Sequence, residues 1–175
     1  MCGALALLLC FACFYACGDD DFSNGNCKCG TDQVEFQVGN GQIYMPNVFS
    51  PNGDGINDIF LPWASDSIDR IEQFVIRNGS GEMLFSEEDF EPNLVEKAWF
   101  GNSTLPAYEG LFKFEVTARS VDGIVETFSG EACSFPCLEG SETLQNLENC
   151  KWGTQHDGAG GFGETFPSLE QLDCF

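Results

Sequence analysis

Basic residues are scarce in this chain. Lys and Arg together number 7 against 28 Asp and Glu, giving a formal net charge of −21 over 175 residues. A surface this negative repels nucleic acid and anionic lipid, so nucleic-acid binding is excluded as an expectation. It favours solubility and attracts divalent cations loosely. Histidine occurs once, as His156 beside Asp157 in a Gly-rich stretch, where a solvated loop residue is expected rather than a triad base. No Gly-x-Ser-x-Gly elbow and no phosphate loop is present. With so many carboxylates, a glycosidase-like pair carries no information. The expectation is a protein that is not an enzyme.

Charge is absent altogether from the first sixteen positions, MCGALALLLCFACFYA. As a helix this run spans only about 24 Å, short of a bilayer core of about 30 Å, so it reads as a signal-peptide apolar region over residues 1–16. A small residue before a cysteine follows, Ala16-Cys17, and then Gly18, Asp19, Asp20 and Asp21. Phe14-Tyr15-Ala16-Cys17 resembles the lipobox of bacterial lipoproteins, which implies lipidation of Cys17. The acidic run resembles the tag that sends lipoproteins of gliding, type-IX-secreting bacteria to the outer face of the outer membrane. Residues 17–30 then form a lipidated acidic linker. A cleaved secretory signal with a charged start is the alternative.

Cysteine is missing from residues 30–132, although the chain holds 10. Beyond Cys17 the cysteines are Cys27, Cys29, Cys133, Cys137, Cys150 and Cys174, an even set in an exported chain, and they read as disulfide candidates. Their placement outside the central span predicts that they tie the linker and the tail rather than the sandwich interior. Zinc is the alternative, but CKC and CSFPC lack the two-residue spacing of zinc pairs.

What is plentiful is phenylalanine, 17 residues, set on short alternating segments. Strands are expected at Val34–Val38, Ile43–Met45, Ile59–Leu61, Ile71–Ile76, Met83–Phe85, Ala98–Gly101, Leu111–Arg119 and Ile124–Phe128, with turns at Asn40-Gly41, Asn78-Gly79 and Asp122-Gly123. Short strands with frequent turn signals predict an all-β sandwich over residues 31–132.

The run Pro46–Phe60, PNVFSPNGDGINDIF, resembles the opening signature of the gliding motility-associated C-terminal domain, the type B sorting domain of type IX secretion. Further parts of that pattern follow in order: Phe74-Val75-Ile76-Arg77-Asn78, Gly81-Glu82-Met83-Leu84-Phe85, Trp99-Phe100-Gly101, and Gly110 to Val116. The resemblance implies an Ig-like antiparallel β-sandwich. In the family the domain ends the protein and is read as an export signal; here residues 133–175 follow it.

Within the signature, Asn52, Asp54 and Asp58 stand at even spacings with Gly55 between the two Asp. This partly resembles calcium loops with oxygen ligands at every second residue, and makes the three residues candidate Ca2+ ligands. Ser50 and Leu61 stand where a full cage would have its first and last carboxylates. The competing reading is a loop whose Asn and Asp bond its own backbone amides, with Gly53 and Gly55 supplying positive φ. In the tail, residues 133–175, a short helix is expected from Ser141 to Cys150 with Leu144 and Leu147 on one face, then a flexible Gly-rich loop from Gly153 to Gly163 and a helical turn over Ser168–Leu172. The tail has too few apolar residues for a core of its own, so disulfides must hold it. Trp63, Trp99 and Trp152 are expected to pack in the core or an interface rather than line a sugar site.

The expected function is a non-catalytic cell-surface lipoprotein, anchored in the outer membrane, that displays the sandwich for binding or assembly. Its partners would be secretion or motility machinery, or a surface glycan or protein. The alternative is a secreted type IX cargo whose sandwich is the sorting signal.

Overall fold

The computed structural model describes residues 27–101, 107–137 and 144–170. The signal segment, Cys17 and its acidic run, most of the proposed Ser141 to Cys150 helix start, and Cys174 lie outside the described residues. Eight strands follow in chain order: β1 (Glu35–Val38), β2 (Gly41–Tyr44), β3 (Val48–Phe49), β4 (Trp63–Ala64), β5 (Ile68–Asn78), β6 (Met83–Phe90), β7 (Gly110–Ser120) and β8 (Val125–Ser134). They form two sheets, β1-β2-β4 and β3-β8-β7-β5-β6. Every pairing is antiparallel except β3 with β8, which is parallel. The all-β sandwich expected from the alternation is what forms.

Strand β7 shows why. Its residues GLFKFEVTARS alternate, and successive side chains of a strand point to opposite faces. Phe112, Phe114, Val116 and Ala118 are buried while Lys113 and Glu115 are exposed. The buried face meets Val38, Ile43 and Ala64 of the smaller sheet in one core. Phe36 of β1 stacks on Phe128 of β8 at 4.2 Å between ring centroids. At the centre Phe49, Phe60, Trp99 and Phe112 lie 4.8 to 5.8 Å apart, tilted or edge-on. Such geometry suits the ring quadrupoles, and truncating one of these side chains costs about 3–5 kcal/mol.

The strands differ from expectation in several places: Val48–Phe49 is a strand of its own, and β6 and β8 run on to Phe90 and Ser134. Ile59–Leu61 and Ala98–Gly101 form no ladder; they meet in a single bridge, Phe60 with Trp99, closed by two backbone bonds of 2.9 and 3.0 Å. The first hairpin turns at Gly39-Asn40, one residue early. Gly39 has φ +56°, and a Cβ on Gly41 would lie 2.4 Å from Ile68 Cδ1, so Gly41 serves the packing of β2 instead of the corner. Strand β4 was hidden in a Trp-Ala pair. Its open edge is covered by Asn93, which accepts from Ala64 N–H at 2.8 Å and donates to Ala64 O at 2.9 Å, as a neighbouring strand would.

A second, smaller core sits where linker and tail meet the sheet. Cys27, Cys29, Val48, Cys133, Phe135, Cys137, Leu144, Cys150 and Trp152 cluster there. Residue Lys28 bridges Gln145 in parallel, through Gln145 N–H to Cys27 O at 3.0 Å and Cys29 N–H to Gln145 O at 3.2 Å. Asn47, only 6% exposed, is its polar centre. The Asn47 amide donates to Gly30 O and Asn149 O, and accepts from Lys151 N–H at 2.7 Å. One buried side chain thus fastens linker and tail to the strand it leads into. The boundary expected at Ala132 falls inside β8, which runs on to Ser134.

Candidate functional site: a closed loop, a disulfide framework and an aromatic cleft

The Ser50–Phe60 loop closes on itself. Ser50 N–H donates to Asn57 O at 2.8 Å, forming the stem. Asp58 Oδ1 accepts from Gly53 N–H at 2.7 Å and Oδ2 from Gly55 N–H at 2.6 Å. Asp54 Oδ1 accepts from Ile56 N–H at 2.8 Å, Oδ2 from the Asn52 amide at 3.3 Å, and Asn52 Oδ1 accepts from Asp54 N–H at 3.0 Å. Asn52, Asp54 and Asp58 are therefore brought together, and all four carboxylate oxygens already take a hydrogen bond from the loop. Gly53 and Gly55 carry φ of +84° and +87° with open space around them, so their role is conformational. The arrangement aims amide donors at a carboxylate, the pattern of an anion-holding concavity. A calcium ion here would have to share oxygens that the backbone amides hold. Among the described residues, no group of three or more His, Cys, Asp or Glu side chains is placed to hold a metal ion.

Two neighbours fix the loop from outside. Gly101, at φ +78°, lets Pro51 approach; a Cβ there would stand 2.7 Å from Pro51 Cγ. This places the Trp99-Phe100-Gly101 element against the loop. Asn57, 6% exposed with φ +53°, binds the tail. Its amide donates to Ser168 O and to Glu170 Oε2, each at 2.9 Å, and accepts from Thr154 N–H at 3.0 Å. Burial pushes the Glu170 carboxyl up, the Asn57 amide and the Ser50 hydroxyl draw it back, and the charges of Asp54 and Asp58 push it further up. The Ser50 hydroxyl faces this carboxyl, yet neither Ser50 Oγ nor Glu170 Oε1 reaches a partner in hydrogen-bonding geometry.

Disulfides join Cys27 to Cys133 and Cys29 to Cys150. Cys137 is disulfide-bonded as well. The linker is thus tied both to β8 and to the tail. One half of the expectation needs adjusting: Cys133 lies within a strand of the larger sheet, so one bridge reaches the sandwich itself.

The tail is packed rather than free-standing. Where a helix was expected from Ser141 to Cys150, the described part has one 3-10 turn, Leu147–Asn149, with Asn146 in the left-handed region ahead of it. Leu144 is buried against the cysteine cluster while Leu147 is exposed, so the two share no face. The left-handed Asn146 breaks the helical spacing between them. Residues Ser168 to Glu170 are irregular. The Gly-rich run lies on β2 because glycine permits it: at Gly160, φ +83°, a Cβ would stand 2.1 Å from Gln42 O. Phe162 N–H donates to the Glu35 carboxylate at 2.8 Å, and Tyr44 donates its hydroxyl to Trp152 O at 2.9 Å.

This docking creates a cleft of about 400 Å³ between loop and tail, lined by Asp58, Ile59, Trp63, Val95, Phe100 and His156 among others. His156, expected to be solvated, stacks on Trp63 with ring centroids 4.2 Å apart and planes 4° from parallel. Its Nδ1 accepts from Gly158 N–H at 3.2 Å, leaving the neutral ring's proton on Nε2. Burial holds its pKa below the ordinary value, partly opposed by Asp157. Trp152 is a core residue of the cysteine cluster and Trp99 of the aromatic centre, while Trp63 lines the cleft. Sequence reasoning missed Asn47, Asn57 and Glu170; the first two lie inside the signature, but their partners are about a hundred residues away and leave no local signal.

Comparison with family models, with curated proteins and with solved structures returned no match.

Proposed function

We propose that this chain is a non-catalytic cell-surface module for binding or assembly, held at the outer membrane by a lipid on Cys17 and related to the type B sorting domains of gliding and type IX secretion. The observation that carries this reading is the pair of disulfides fastening residues Cys27 and Cys29, just after the proposed anchor, to the sheet and the tail. Such bonds persist in oxidising compartments outside the cytoplasm. A lipid at Cys17 would then present linker, sandwich and tail as one body. The polar groups in the cleft support a binding role. The Thr154 hydroxyl donates to Ser168 O, and both Asp58 oxygens are held by amides, so both groups present fixed polar contacts to a partner.

Palmitate labelling of the producing cells tests the anchor. Label that disappears in Cys17→Ala supports it, and no label in either form refutes it. The alternative reading, a type IX cargo with the sandwich as sorting signal, is favoured by the signature itself. A reporter fused ahead of residues 27–175, which keep both disulfides, and released to the surface would support that alternative; retention inside the cell supports the anchored module.

A further inference from the structure

The cleft between loop and tail has an uneven chemistry. Its apolar walls include Phe100 and Val95, which are 53% and 45% exposed, and the stacked rings of Trp63 and His156. Large exposed apolar groups gathered at one concavity mark a contact surface more often than a bare surface does. The charge of the lining is negative only. Asp58 contributes a carboxylate fixed by two amides, and no Lys or Arg is among the lining residues. Lys97, two positions from Val95, is committed to Glu87 at 2.7 Å. Asp54 and Glu170 lie within electrostatic reach of one another beside the same loop, and the whole chain carries −21. His156 adds a ring face without a charge, since its Nδ1 takes an amide proton.

We infer that this cleft receives a cationic side chain of a partner protein, arginine in preference to lysine. The inference rests on the binding-module reading and names its ligand class. Aromatic faces beside a fixed carboxylate attract a cation both through the ring quadrupole and through charge. A planar guanidinium stacks on such rings and is more weakly hydrated than an ammonium, which is why arginine ranks first. A volume of about 400 Å³ accepts one long side chain with its flanking backbone. An anionic ligand is repelled by the lining, and a neutral one gains nothing from Asp58.

Calorimetric titration of the full chain in detergent decides it, with acetyl-Gly-Arg-Gly-amide as probe. Its lysine counterpart, its citrulline counterpart and N-acetylglucosamine serve as comparisons. The arginine peptide binds, lysine binds more weakly, and citrulline, which has the same shape without the charge, binds at least about tenfold more weakly. Added salt weakens the arginine peptide. Phe100→Ala, a change at an exposed ring, lowers its affinity about tenfold while the melting temperature stays unchanged. Equal binding of citrulline, binding of the sugar alone, no heat with the arginine peptide, or full affinity in Phe100→Ala would each overturn the inference. Palmitate label and surface exposure are read separately, so an anchored chain that ignores arginine loses this inference and keeps the binding-module reading.

Discussion

Replacing Asn57 by Ala should detach the tail from the loop without unfolding the sandwich core. Three hydrogen bonds go with the side chain: to Ser168 O, to Glu170 Oε2, and from Thr154 N–H. At about 1 kcal/mol each they sum to roughly 3 kcal/mol. The backbone at φ +53° adds a second cost, because Asn tolerates the left-handed region and Ala pays about 1 kcal/mol there. Asn57→Ala should therefore lose about 4 kcal/mol, a large part of a typical domain stability of about 5–15 kcal/mol. Asn57→Gly removes the backbone penalty and should recover about 1 kcal/mol of it. Urea unfolding followed by tryptophan fluorescence reads the size of the loss. Limited proteolysis reads its place, with cleavage appearing first in the Gly153–Gly163 run. Two variants within about 1 kcal/mol of the wild type, with an uncut tail, would refute the clamp.

Further outcomes follow from the same contacts. Gly160→Val should also free the Gly-rich run, because its Cβ would meet Gln42 O; proteolysis of the tail without loss of the sandwich's circular dichroism checks this. Paired Cys29→Ser and Cys150→Ser should cost about 2–4 kcal/mol, since with the Cys27–Cys133 bridge in place Cys29–Cys150 closes a further loop of about 20 residues; an unchanged melting temperature would contradict it. Glu170 has a raised pKa in the fold, so its contribution is present below the ordinary Glu value and is lost as pH rises through the folded value. Glu170→Gln should flatten that part of the pH–stability curve and raise the melting temperature near neutral pH, and a curve superimposable on the wild type's would exclude the effect. For the loop, melting should be the same in calcium and in chelator, because among the described residues no group of three or more His, Cys, Asp or Glu side chains is placed to hold a metal ion. A calcium-dependent rise lost in Asp54→Ala would establish a metal site instead.

Periodic information in the sequence was legible and long-range information was not. The alternation in β7 could be read directly, because period two in a half-buried strand follows from its geometry. The Asn78-Gly79 and Asp122-Gly123 corners were legible for the same local reason. Strand β4 was not, since two residues carry no period. The outline of the disulfide framework was visible in the gap between Cys29 and Cys133, but the pairing depended on where Asn47 draws linker and tail together. The Gly153–Gly163 run looked like a free loop because glycine marks both mobility and close approach. Only the position of Gln42 O beneath Gly160 separates the two. His156 met Trp63 through a tail–sheet docking that nothing near either residue encodes.

The Cys27–Cys133 and Cys29–Cys150 bridges also determine how the fold bears mechanical load. A pull on the chain ahead of Cys27 reaches covalent bonds to β8 and to the segment at Cys150 before it reaches any strand pairing. Strands β1 and β2, which follow in sequence, are bypassed. Tension then shears neither the hairpin of two four-residue strands they form nor its few backbone bonds. For any body held by its N-terminal end, that is the difference between stretching the tether and unravelling what it carries.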